Sequence, residues 1–274
     1  MKKINYLNNK DLLEEIHKSK NSYCSYTKDE HSRYDAIIAS LEKINVRSIA
    51  EAKRVRAKRL AQEEFERRKL IDPKVKLSEC EVDYRKIQKH ELVFRVMTYE
   101  HIPNEPGRKK NPKSSADSKC KVNFPAFQHW KHDEKGNLSC VGKSHWEGGM
   151  HNGKFNKENG KPTAKLAMMW MKLCERYATR GNVRGYTYND EMQGQAILQL
   201  TQIGLQFDES KSNNPFAYYT AAVTNSFVRI INIEKRNQNI RDDIMEMNNM
   251  MPSSTRQNSE SYQKSMDREF KKKI

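Results

Sequence analysis

A chain of 274 residues, 36% of them hydrophobic and 31% charged, builds a core that is small for its length, in one large domain or, as expected here, two. No stretch of about 18 apolar residues exists to span a bilayer, and Met1-Lys2-Lys3 runs into polar residues, so neither a membrane helix nor a secretory leader is expected. Fifty-one Lys and Arg against 35 Asp and Glu leave a net charge of +16, which points to a polyanionic partner, nucleic acid first and an acidic protein second.

Asn8 can cap a short amphipathic helix that carries Leu12, Leu13 and Ile16 at helical spacing. From Val46 a long helix-forming stretch opens, with Ser48 and Glu51 at capping-box spacing, and runs to about residue 71. Between Arg47 and Lys69 it holds nine basic residues against four Glu, the composition of a solvated surface helix or of one facing phosphates. After Pro73 the texture changes. Residues 91–100, 121–127 and 138–142 are β-branched and aromatic between turn residues, which predicts a small, irregular β unit over about 88–146. Residues 104–115, rich in Pro, Gly, Lys and Ser, read as a mobile basic loop, and 147–162 as a linker. The five cysteines, Cys24, Cys80, Cys120, Cys140 and Cys174, are odd in number and lack a CxxC pair; a reduced, cytoplasmic chain is expected.

Three helices follow. The first carries Leu166, Met169, Trp170, Leu173 and Tyr177 on one face, and Met168, Met169 and Met171 read as core packing. The second, after Tyr188-Asn189-Asp190, sets Met192, Ala196, Leu200, Ile203 and Phe207 in an apolar stripe and Glu191, Gln195, Gln199 and Gln202 in a polar one. Asn213-Asn214-Pro215 supplies the third with a cap and a proline at the first helical position; it should reach about Arg236. In it Tyr218, Asn225, Arg229, Asn232 and Arg236 share a face, while Phe216, Val223, Phe227 and Ile230 occupy another. An aromatic and basic face suits nucleic acid: Arg and Asn reach phosphates and base edges, and Tyr stacks on an unpaired base. Residues 244–274 are polar and read as a flexible tail.

The order of these parts, Glu191-Met192 through Gln206-Phe207, then Pro215-x-x-Tyr218, then Arg229, resembles region 2 of bacterial sigma factors. Gly185-Tyr186-Thr187, Gly204-Leu205-Gln206-Phe207-Asp208-Glu209, Lys211, Asn214-Pro215-Phe216-Ala217-Tyr218 and Phe227-Val228, with residues 5–13 at the start, are similar to the late-transcription sigma factors of T4-type bacteriophages. The resemblance covers about the first 16 residues and 165–235; the block between resembles the long insertion of cyanophage-type members. It implies a mainly α fold with an N-terminal helix in 1–20, an insertion over 21–162 that adds a basic helix and a small β unit, a sigma region-2 helical domain over 163–243, and a tail over 244–274.

The resemblance also implies roles. Asp190, Glu191, Gln195 and Gln199 would dock on the β′ coiled coil of the host RNA polymerase core. Phe216, Tyr218, Tyr219, Asn225, Arg229, Asn232, Lys235 and Arg236 would hold the non-template strand of an AT-rich −10-like element in promoter DNA, with a flipped base captured on Tyr218. The implied function is promoter recognition and melting at phage late promoters, in the cytoplasm of the infected bacterial host. No enzyme activity, cofactor or metal is expected, and a phage coactivator and the sliding clamp are further partners. Departures from the family pattern stand at Ala221-Ala222, where housekeeping factors carry adjacent tryptophans, and at Gln195, where they carry an acid. No helix-turn-helix pattern follows residue 243, and Phe270-Lys271-Lys272-Lys273-Ile274 stands in place of the apolar-acidic clamp epitope. Two rival readings are an autonomous basic DNA- or RNA-binding protein and a His-metal nuclease using His132-Asp133, Asn137 and His151-Asn152. A zinc site from Cys120, His129, His132 and Cys140 has a spacing that matches no structural zinc pattern.

Overall fold

The computed structural model describes residues 7–105, 115–259, 261 and 263. Most of the expected basic loop at 104–115, residues 5 and 6 of the expected start, and the residues bearing on a clamp epitope lie outside these. Helix accounts for about 53% of the chain beside a small mixed sheet, so helix dominates as expected. The chain divides into two compact units, Met1–Leu173 with Leu200–Thr220, and Cys174–Gln199 with Ala221–Ile274.

The first unit opens with α1 (Asn9–Asn21), where the Asn8 side chain accepts a 2.7 Å hydrogen bond from the Asp11 amide and Leu12 and Ile16 are buried. Five strands follow: β1 (Cys24–Tyr26), β2 (Ala36–Ile38), β3 (Val93–Met97), β4 (Phe127–His132) and β5 (Leu138–Ser144), in the order β1-β5-β4-β3-β2. The pair β2 and β3 is parallel; the other pairs are antiparallel. The sheet is therefore wider than the β unit expected at 88–146, because β1 and β2 precede it. Each has three residues, too few for alternation to show in sequence. The strand expected over 121–127 instead begins at Phe127, after Pro125, which has no amide to give a ladder.

Parallel neighbours need a crossover, and α2 (Val46–Lys69) supplies it. Its capping box is Asn45 with Ser48, whose side chains bond each other's amides at 3.0 and 2.9 Å, rather than Ser48 with Glu51. One face of α2 is made of alanines, and Ala52 and Ala57 pack against Ile38, Ile87, Leu92 and Phe94. Asp35, fully buried, ties this helix to the sheet: it accepts the Val93 amide at 3.0 Å and pairs with Arg59 at 2.8 Å. Alternation along β3 sends Phe94 to the α2 side and Arg95 to the other.

The segment expected as a linker at 147–162 is held in place. Strands β6 (Trp146–Glu147) and β7 (Lys154–Phe155) form a hairpin, and Asn123 donates to the Lys157 carbonyl at 2.6 Å. Thr163 then donates to the buried Glu15 carboxylate at 2.8 Å. After the short α3 (Ser115–Ser118), the remaining helices are α4 (Ala164–Ala178), α5 (Asn189–Ile203) and α6 (Pro215–Met247). Lys20 of α1 donates to the Phe207 carbonyl and to Glu209, each at 2.7 Å. Contacts of this kind place residues 200–220 with the N-terminal segment, so the unit boundary does not fall at residue 162.

In the second unit Tyr177 meets Phe227 edge-on at 4.8 Å, and the Asn189 amide closes the preceding loop by donating to the Ala178 and Val183 carbonyls. Helix α6 runs 33 residues, past the expected end near Arg236, since neither proline nor glycine interrupts it. Asn249 stops it at φ 56°, with Met250 donating back to the Met245 carbonyl in a left-handed terminal turn. The chain then returns along the helix: the Ser253 amide and hydroxyl both bond Asp242, at 2.8 and 2.7 Å, and Arg256 pairs with Asp243 and Glu246. The tail expected to be loose is thus folded through residue 259. All five cysteines are unpaired, and among the described residues no helix is long and apolar enough to cross a membrane.

Candidate nucleic-acid interface

In the second unit Asp190 and Glu191 occupy the first turn of α5, where carboxylates face the positive end of the helix dipole. Asp190, Glu191 and Gln195 are exposed and Gln199 is half-buried, while Met192 and Ala196 on the opposite side are fully buried. Gln193 braces the turn by donating to Asn189 at 2.9 Å. On α6, Asn225, Arg229, Asn232, Lys235 and Arg236 are all exposed, and Ala222, Val223, Ser226, Phe227 and Ile230 form the buried side. Within this unit the expected polar and basic faces both reach solvent.

The remaining expected residues belong to the first unit. Phe216 is 37% exposed and is not part of the buried stripe to which its spacing had assigned it. Its amide donates to the Asn9 side chain at 3.1 Å, and Asn214 caps the helix by accepting from the Ala217 amide. Tyr218 is half-buried: its hydroxyl donates to the Ile203 carbonyl at 3.1 Å and its ring lies 5.6 Å from Phe207. Burial pushes its phenol above the ordinary value.

Tyr219 is a correction. It is completely buried, donates its hydroxyl to the Gly204 carbonyl at 2.8 Å and meets Trp170 edge-on at 5.9 Å. It therefore packs the interior and cannot present a ring to DNA. Its spacing of four from Val223, and of eight from Phe227, was the available signal. Met168 and Met171 are also corrected, at 54% and 46% exposed; they lie three apart on the side of α4 away from Leu166, Met169, Trp170 and Leu173.

The Cys/His set of the β region does not converge. Among the described residues no group of three or more His, Cys, Asp or Glu side chains is arranged to hold a metal. His129 is instead buried beside Arg95, whose Nε donates to His129 Nε2 at 3.0 Å, so that Nδ1 carries the proton given to the His31 carbonyl at 2.6 Å. Burial, helped by the Arg95 charge, holds His129 neutral well below its usual pKa. The Arg95 guanidinium lies between Tyr34 and Phe127, 4.0 and 3.8 Å from the ring centres, which offsets part of its desolvation. His132 bonds the Gly136 carbonyl, and Cys140 the Gly142 carbonyl. Comparison with protein-family models, curated proteins and solved structures finds no match.

Proposed function

We propose that this chain is a sigma factor of phage late transcription, which binds the host RNA polymerase core and directs initiation by recognising and melting an AT-rich −10-like element. The observation that carries the proposal is the exposed row Asn225, Arg229, Asn232, Lys235 and Arg236 on a helix whose other side is buried, in a chain whose order of parts resembles sigma region 2. Asp190, Glu191 and Gln195, exposed at the start of α5, serve as the polymerase contact. Tyr218, half-buried, receives a flipped base on the part of its ring that reaches solvent. Base–aromatic stacking of roughly 1–3 kcal/mol then offsets the few kcal/mol that unstacking costs.

Each base contact discriminates by roughly 1–3 kcal/mol, whereas specific recognition needs about 4–10 kcal/mol over non-specific binding. A single helix face falls short alone, so polymerase must hold it against an opened strand. The test is pull-down from host extract with the wild-type protein and with Glu191→Lys. The wild type retains polymerase β′ and the variant does not, while both unfold at the same temperature. With core polymerase added, Tyr218→Ala lowers permanganate reactivity of melted thymines and Tyr218→Phe does so less. A sequence-specific footprint from the isolated chain would instead establish the autonomous DNA binder.

A further inference from the structure

The first unit carries a second surface that this function leaves unused. Beside α2, Glu81, Val82 and Tyr84 border an open groove of about 340 Å³. Its floor is the methyl groups of Ala57 and Ala61, its wall Tyr84 and Val82, and its rim Arg54, Lys58 and Glu81. Tyr84 is half-buried because one part of it packs on the cluster of Ile38, Leu92 and Phe94. The Arg54 and Arg85 guanidinium carbons stand 5.4 and 5.9 Å from its ring centre. Hydrogen bonding from the Arg85 and Arg54 side chains, Arg85 foremost, also holds the phenol below its ordinary range.

Charge and shape together select the occupant. The acids of α2 are engaged elsewhere, Glu51 by Arg47, Glu63 by Arg33, Glu64 by Arg67 and Arg68, and Glu66 by the Gln62 amide, which leaves Arg54 and Lys58 to face the groove. Spaced four apart, these two are neighbours on one side of the helix. An apolar slot with an aromatic wall takes a planar ring, and a cationic rim takes the phosphates on either side of it. A duplex keeps its bases stacked and has no ring to offer.

We propose that this groove binds single-stranded nucleic acid, one base entering the alanine-floored slot against Tyr84 while the backbone phosphates lie on Arg54, Lys58 and Arg85. Stacking supplies affinity without sequence selection, and the cations supply its salt dependence. The proposal does not depend on polymerase binding and stands or falls separately from it.

The test uses the full chain and fluorescence anisotropy with labelled 12-nucleotide oligo(dU), oligo(rU) and a duplex of equal length. Tyr84→Ala should weaken single-strand binding roughly five- to a hundred-fold without changing the slope of affinity against salt. Tyr84→Phe should retain it, and duplex binding should not change. The Arg54→Gln, Lys58→Gln double variant should reduce the salt slope by about 1–1.5 for the single strands. Tyr84→Leu preserves contact with the core while removing the aromatic face; it serves if Tyr84→Ala fails to fold. Full affinity in whichever of these two folds overturns the proposal, as does an equal loss on duplex. Equal losses with the two oligonucleotides indicate a site blind to the sugar; a loss confined to one assigns the site to DNA or to RNA.

Discussion

Lys20 and Glu209 are both buried, with side chains 1% and 7% exposed, and each is the other's ion partner at 2.7 Å. Burial pulls the lysine pKa down and Glu209 offsets this, while the carboxyl, which burial alone would raise, is held below its usual range by Lys20 and Arg95. Removing Lys20 takes from the desolvated Glu209 its hydrogen-bonded cation and leaves it only the Arg95 charge and the His17 ring at 3.5 Å. Lys20→Ala should therefore cost about 3–5 kcal/mol in urea unfolding, and Lys20→Met combined with Glu209→Leu should recover much of that; equal losses in both would show that the charge pairing is immaterial. Histidines set the pH response. Burial lowers His101 to about 4 and His145 to about 3, against roughly 6.5 in the unfolded chain. Between those values the unfolded state binds more protons, so their contribution is complete above about pH 6.5 and is lost as pH falls. The unfolding temperature should drop from pH 7 to pH 5, and less steeply in His101→Gln; a flat profile in the wild type would contradict this. Neither feature was legible in the sequence, because Lys20 and Glu209 stand 189 residues apart and no local pattern joins them.

At the scale of elements, the long amphipathic stretches were legible and the short ones were not. Helices α1, α2, α4 and α5 start within about two residues of the positions read from caps and apolar spacing, since their signals repeat over three or more turns. Strands β1 and β2 carry no such repetition and are fixed by pairing with distant partners, Cys24 with Ser144 and Ala36 with Phe94. The same limit governs the candidate site: exposure of Asn225 and Arg229 and burial of Tyr219, in phase with Val223 and Phe227, are all readable from helical spacing, whereas the partners that Tyr219 meets, Trp170 and Gly204, lie outside α6 and no local pattern brings them in. Gly204 is decisive in that packing. A Cβ there would enter the Trp170 ring, so the turn after α5 can approach the indole only without a side chain. Gly204→Ala should destabilise the protein by about 1–3 kcal/mol with a red-shifted tryptophan emission; an unchanged denaturation midpoint would mean that the ring moves aside freely.

At the scale of the molecule, the basic helix and the sheet are one construction. Ala52 and Ala57 of α2 lie in the same cluster as Ile38 and Phe94, so excising the helix would expose that cluster, and the nucleic-acid binding proposed for this helix is to be tested by neutralising charges in place. The pairing of Lys20 with Glu209 also has a consequence for biosynthesis. A ribosome releases α1 long before residue 209 exists, and during that interval the lysine has no counterion and the helix no seat. The first unit cannot close in the order in which it is made, but only after residues 205–216 emerge, a connection of high contact order and correspondingly slow formation. A chain stopped after residue 199 should accordingly lack a cooperative unfolding transition and fall to limited proteolysis throughout its N-terminal half. Until residues 207 and 209 are delivered, the buried end of Lys20 has neither of the acceptors it finds in the folded chain.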